Sequence, residues 1–214
     1  MKYSLIIFDL DGTLLNTLAD LAGSLSFALE RLDLPKRSID EVRRFVGNGI
    51  PKLIERAVPA GTPAQTTQEV LSAFTEHYRV HCADSTVPYD GIYDMLAALR
   101  SSGRKAAVVS NKSDYAVQAL CEKYFGDTFS AVAGARPGIL KKPAPDAVNA
   151  VLSQLGTDRQ DAVYIGDSEV DIETAANARM DCISVDWGFR SREQLLLSGA
   201  ARIISRPVDI LSEI

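Results

Sequence analysis

The stretch Leu5-Ile6-Ile7-Phe8-Asp9-Leu10-Asp11-Gly12-Thr13-Leu14 decides the fold. Its first four residues form the short apolar run that a buried strand requires. The run stops at two carboxylates one residue apart, followed by Gly12 and Thr13. A carboxylate at the carboxyl end of a buried parallel strand points into the crevice where open α/β sheets bind ligands. Asp9 and Asp11 sit two apart ahead of a bend at Gly12, so both can face one site. Paired carboxylates invite a divalent cation, because hard oxygen ligands suit magnesium. The competing reading is an ordinary strand-end turn, since Asp and Gly are common turn residues. The rest of the chain decides between them.

After Thr13 the period changes. Leu18, Leu21, Leu25, Leu29 and Leu32 recur at three- and four-residue steps, the stripe of an amphipathic helix packed on its neighbours. Leu34-Pro35 ends it. Helical patterns continue over 39–45, 51–58 and 63–81 with no alternating segment between them, so 15–85 reads as an all-helical insertion. From Pro88 onward, helices alternate with short apolar strands. Strands are expected at 106–109, 131–134, 162–165, 182–185 and 202–204, and helices near 92–102, 115–124, after Pro145, at 172–178 and at the end of the chain. Continuous apolar strands separated by helices imply a parallel sheet covered on both faces, an α/β fold. The opening strand is expected to join that sheet. The core is therefore split in sequence, residues 1–14 and 86–214, around the helical insertion at 15–85.

Bulk properties exclude several classes. The 214 residues carry a formal net charge of -5, with 46% hydrophobic and 24% charged residues. That balance suits a globular protein and gives no basic footprint for nucleic acid or an anionic membrane surface. The three cysteines, Cys82, Cys121 and Cys182, are widely spaced and form no CxxC pair, which argues for free thiols and a reducing, cytoplasmic setting. Asp9 and Asp11 interrupt the only N-terminal run that resembles a signal peptide. The protein is expected to act as a monomer or homodimer.

Three expected strands end in polar residues: Asp9, Ser110 with Asn111, and Asp167 after Gly166. Parallel strands share a direction, so these groups fall on one edge of the sheet and can converge. Lys142, Ser168 and Asp171 lie close to them in sequence. Such a set suits a phosphoryl group, so the expected partner is a small phosphorylated substrate. Asp9 can act as a nucleophile and form an aspartyl phosphate. Asp11 can protonate the leaving oxygen and then accept a proton from water. Asp9, Asp167 and a backbone carbonyl near Asp11 can hold Mg2+, Ser110 can donate to a phosphoryl oxygen, and Lys142 can offset the transferring charge.

Asp9-Leu10-Asp11-Gly12-Thr13, Ser110-Asn111, Lys142-Pro143 and Gly166-Asp167-Ser168-Glu169-Val170-Asp171 resemble, in order, the four motifs of the haloacid dehalogenase superfamily. Each is weak alone; the ordered set is specific and spans nearly the whole core. The resemblance implies a Rossmann-like, three-layer core with a helical cap inserted after the first strand, and a Mg2+-dependent phosphatase. It assigns Asp9 as nucleophile, Asp11 as acid and base, and Ser110 and Lys142 as phosphate ligands, with Thr13 and Asn111 beside the substrate. The metal would lie on Asp9, Asp11 (through its carbonyl) and Asp167, with Asp171 and Ser168 behind them. Arg44-Phe45-Val46-Gly47-Asn48-Gly49 and Trp187-Gly188-Phe189-Arg190-Ser191 look like phosphoglycolate phosphatases. The sequence departs from the superfamily pattern at Asn16, where an acidic residue is usual, and in the loop 135–140.

Two further features have competing readings. Gly47-Asn48-Gly49 precedes a helix with Pro51 in its first turn, and the free N–H groups there can hold a substrate's distal anion. Lys52 and Arg56 are expected to form a solvated face. His77 and His81 match zinc-ligand spacing, but they continue the stripe of Val70 and Phe74 and lack a third ligand, so a structural role is expected. Three other activities suit the same core: a β-phosphoglucomutase-like phosphomutase, a pyrophosphatase, and a dehalogenase, which has no need of Asp11. A phospho-ligand sensor, the non-enzymatic alternative, has no need of both carboxylates.

Overall fold

The computed structural model describes residues 2–214. In chain order, β1 (Leu5–Phe8) and a two-residue β2 (Leu15–Asn16) precede α1 (Leu18–Arg31), α2 (Ile39–Phe45), α3 (Ile50–Ala57) and α4 (Ala64–His81). There follow β3 (Val87–Pro88), α5 (Ile92–Ser101), β4 (Lys105–Ser113), α6 (Asp114–Phe125), β5 (Ala131–Ala135) and α7 (Asp146–Leu155). The chain closes with β6 (Ala162–Gly166), α8 (Glu169–Ala178), β7 (Asp181–Val185), α9 (Arg192–Leu197), β8 (Ile203–Ile204) and α10 (Ile210–Glu213).

Two compact units result. One comprises the residues up to Leu15 together with Pro88–Ile214, and the other is Asn16–Val87. The crossings therefore fall at 15/16 and 87/88, slightly later than the sequence pattern places them. The residues concerned form β2 and β3, which pair as a two-stranded ribbon. Two residues are too few to show a period.

In the first unit the sheet order is β5-β4-β1-β6-β7-β8, and every neighbouring pair is parallel. The opening strand β1 lies in the middle, with Phe8 opposite Val108 on one side and Ile165 on the other. All four β1 residues are buried. Leu5 and Ile7 pack with Val148, Val151, Leu152 and Ala175 from α7 and α8. Ile6 and Phe8 lie on the opposite face of the strand, and α5 and α6 pack against neighbouring β4. Each such side chain stabilises the fold by about 2 kcal/mol relative to exposure, which fixes the point where β1 stops and Asp9 begins. The strand order reverses direction on either side of β1, the switch point at which such sheets bind ligands.

The sequence ends the second core strand at Val109. The structure carries β4 on through Ser113, with a register shift between Val109 and Ser113. The polar residues Ser110, Asn111 and Lys112 stay in extended backbone and are buried, so apolar content alone undercounts the strand. Helix α8 begins at Glu169, three residues before the expected start, because Ser168 and Asp171 cap it. Helix α9, not expected from the periodicity, is opened by a capping box between Ser191 and Gln194.

The second unit packs α1 along α4. Leu18, Leu21, Leu25 and Leu29 are buried, as are Val70, Ala73, Phe74 and Tyr78; Leu32 lies past the end of α1 and is only half-buried. Buried Asp20 accepts from Ser85 N and Thr86 N, both at 2.8 Å, and from Thr86 Oγ1 at 2.7 Å. The end of the helical segment is thereby tied to its beginning. His77 has Ser24 Oγ at 3.0 Å from its Nδ1 and stacks on Phe27 and His81, and His81 pairs with Asp84. Burial and neighbouring His81 hold the His77 imidazole below its ordinary pKa. These contacts use both rings for packing and ion pairing. No described helix is long and apolar enough to cross a membrane.

Candidate active site

Asp9 leaves β1 with its backbone N–H donating to Ile165 O at 2.9 Å. Its Oδ1 accepts from Leu10 N at 2.7 Å and lies 3.0 Å from Lys142 Nζ. Among the described residues no hydrogen bond goes to Oδ2. The following turn is closed by Leu14 N and Leu15 N, each donating to Leu10 O at 3.0 Å. Gly12 has φ +85, and any side chain there would strike the Asp167 carboxylate. The glycine that bends the first motif is therefore also what lets it approach the fourth.

Lys142 is the cation of the centre. Its ammonium reaches Asp171 Oδ1 at 2.7 Å, Asp9 Oδ1 at 3.0 Å and the Tyr164 hydroxyl at 3.0 Å, and its side chain is buried. Tyr164 in turn donates to Val109 O at 3.0 Å. Three acceptors match the three donors of an ammonium. Burial alone would strip its proton, but Asp171 and Asp9 outweigh burial and hold Lys142 well above its ordinary pKa. The loop carrying Lys142 is held by Asn111 Nδ2, which donates to Lys142 O at 2.9 Å.

The carboxylates feel the opposite imbalance. Asp9 is raised to about 7: burial is the largest cause, Lys142 opposes it, and Asp171 and Asp11 add to it. Burial, then Asp171 and Asp9, raise Asp167 well above the usual carboxylate range. Asp167 is oriented by Phe189 N at 2.7 Å to Oδ2 and by Thr13 Oγ1 at 3.3 Å to Oδ1. Asp171 reaches back to Ser168 N at 3.1 Å and Ser168 Oγ at 2.6 Å, capping α8. Oxygens of Asp9, Asp167 and Asp171 lie within 4.8 Å of one another. A cluster of hard oxygens whose charge one lysine does not balance fits a divalent cation. Asp171, already bound by Lys142 and Ser168, serves the cluster through those partners.

The structure thus brings Asp9, Asp11, Thr13, Ser110, Asn111, Lys142, Asp167, Ser168 and Asp171 to one edge of the sheet. Thr13 bonds to Asp167 and Asn111 to the Lys142 loop, so both act within the protein framework. Gly47, Asn48 and Gly49 lie in the helical unit, in a turn organised by Arg56. That guanidinium donates to Phe45 O at 2.7 Å and to Asn48 Oδ1 at 2.8 Å. Arg56 is therefore not part of a solvated face, as the sequence spacing suggests; Lys52, paired with Glu55 on the surface, is.

Two contributors escape the sequence reading. Lys112 binds both oxygens of Asp11, at 2.8 Å and 3.0 Å; its signal is its place two residues past Ser110. The segment after β7 clamps the site: Trp187 Nε1 donates to Thr13 O at 3.0 Å, and Arg190 pairs with Glu169 through Nε at 2.8 Å and Nη2 at 3.1 Å. Gly188 passes so close to Gly12 O and Asp167 that no side chain fits there. Its residues stand out in the sequence only through resemblance.

Known proteins agree with this geometry. A family model for haloacid dehalogenase-like hydrolases matches residues 6–185. A phosphoglycolate phosphatase of Mesorhizobium japonicum is 35% identical over 90% of this chain and 86% of its own. One from Caulobacter vibrioides is 34% identical over 96% and 88%. The crystal structure of a Lactobacillus delbrueckii subsp. bulgaricus protein, given provisionally as a phosphoglycolate phosphatase, superimposes with a TM-score of 0.95 at 36% identity, covering 100% of this chain and 99% of that one. The chain belongs to the haloacid dehalogenase-like hydrolases and is a phosphatase of the phosphoglycolate phosphatase-like kind.

Proposed function

We propose that the protein hydrolyses a small phosphomonoester, 2-phosphoglycolate first among them, through an aspartyl phosphate on Asp9. The observation that carries this reading is the division of labour on Asp9: Oδ1 is held by Lys142 and Leu10, while Oδ2 has no such partner. A carboxylate so fixed is a positioned nucleophile.

In the first step Asp9 Oδ2 bonds to phosphorus, the phosphorus–oxygen ester bond breaks, and the leaving oxygen takes a proton from Asp11. In the second, Asp11 accepts a proton from water while the water oxygen bonds to phosphorus, releasing inorganic phosphate and restoring Asp9. Ser110 Oγ and Lys142 Nζ hold the equatorial oxygens through both steps. Asp9, Asp167 and the Asp11 carbonyl would hold Mg2+, which supplies charge compensation between anionic carboxylate and anionic phosphate. The helical unit is the specificity-determining insertion of this reading.

The test is phosphate release with Mg2+ from a panel containing 2-phosphoglycolate, pyrophosphate, sugar phosphates, nucleotides and an aryl phosphate, beside an Asp9→Asn control. The reading expects strongest turnover of 2-phosphoglycolate, lost in the control. Strict dependence on a sugar bisphosphate would instead indicate a mutase.

A further inference from the structure

Asp11 is anchored from both ends. Its backbone belongs to the tight turn after β1, where it bridges to Leu15, and its carboxylate is gripped by Lys112 Nζ through both oxygens. The Lys112 side chain is only 2% exposed and that of Asp11 14%. The Lys112 ammonium is committed to the protein through both Asp11 oxygens. The same residue's backbone N–H points at Ser110 Oγ at 3.4 Å, occupying a lone pair of that hydroxyl and leaving its proton free for a phosphoryl oxygen. Its neighbour Asn111 holds the Lys142 loop. The three successive residues at the end of β4 thus each fix a different working group.

We infer that Lys112 is the positioning residue for the proton-transfer carboxylate. A carboxylate on two free torsions sweeps through many orientations, and proton transfer in the transition state demands one of them within a fraction of an ångström. An ammonium straddling both oxygens removes that freedom at the cost of burying a charge pair. The chemistry remains that of the two steps above: Lys112 exchanges no proton with the substrate and forms no bond to it. The inference rests on the phosphatase reading and on Asp11 as the acid.

The consequence appears in the leaving group. Protonation matters most when the departing oxygen is a strong base, as in an alkyl phosphate such as 2-phosphoglycolate, and least for a 4-nitrophenyl leaving group that departs as a stable anion. The experiment compares kcat/KM for these two substrates in the wild type, Lys112→Met, Lys112→Arg, Asp11→Ala and the Lys112→Met/Asp11→Ala double variant. In Lys112→Met the aryl-to-alkyl ratio should rise about tenfold or more. Arginine, which also grips a carboxylate with two donors, should restore part of the wild-type ratio. In the double variant the ratio should match that of Asp11→Ala, because residues acting as one unit are not additive. A merely structural or phosphate-binding Lys112 would depress both substrates together and leave the ratio unchanged, and that result overturns the inference. Asp9-dependent aryl phosphate turnover by the wild type keeps the phosphatase reading standing in that event. Its absence overturns both.

Discussion

Lys142 Nζ lies 2.7 Å from Asp171 Oδ1, with both side chains buried and neither substituting for the other. Removing one member of a buried ion pair leaves an uncompensated charge, which is more damaging than removing both. Asp171→Ala also deletes the cap of α8. It should destabilise the protein by about 3 kcal/mol or more, read as a lower urea midpoint, whereas Lys142→Met/Asp171→Leu should recover part of that loss while remaining inactive.

A pH effect follows from Asp9. In the metal-free protein burial raises this carboxylate to about 7, above its ordinary 3.8. Between these values the folded state binds more protons than the unfolded state, so this group's contribution to stability falls as pH rises through that window. Asp9→Asn should therefore raise the melting temperature in EDTA at pH 8 by more than at pH 5. A shift equal at both pH values would contradict the assignment.

Mg2+ should act in the same direction. A cation held by Asp9 and Asp167 within the carboxylate cluster would stabilise the folded state by mass action, and protons compete with it. Calorimetric melting should show a larger Mg2+-induced rise at pH 8 than at pH 5, and Asp167→Asn should reduce that rise.

Tyr164→Phe keeps the ring in the core but removes a hydroxyl that accepts from Lys142 and donates to Val109 O, each at 3.0 Å. The buried carbonyl loses that donor, at a cost of about 1–2 kcal/mol. Denaturation should show that loss, and kcat should fall more than KM rises, because Lys142 loses one of its three anchors.

Much of this was readable from the chain. Asp9, Ser110 and Asp167 follow apolar runs whose burial fixes where each strand ends, and parallel pairing brings the three ends together. The loss of legibility begins where polar residues are structural. Lys112 sits inside a strand whose apolar signal stops three residues earlier, so its pairing with Asp11 depends on a contact 101 positions away in sequence. Trp187 and Arg190 belong to a loop without periodicity, and their bonds to Thr13 O and Glu169 exist only after the sheet has formed. Arg56 looked like a solvated partner of Lys52 because four-residue spacing carries no information on a turn eleven residues upstream.

The most direct test of the central claim is chemical trapping of the covalent intermediate. Protein mixed with 2-phosphoglycolate and Mg2+, quenched in acid and reduced with borohydride, should carry homoserine in place of aspartate at position 9, located by peptide mass spectrometry. The account predicts modification at Asp9, in proportion to turnover and absent in Asp9→Asn. Steady phosphate release with position 9 unmodified, or modification at another carboxylate, would contradict it.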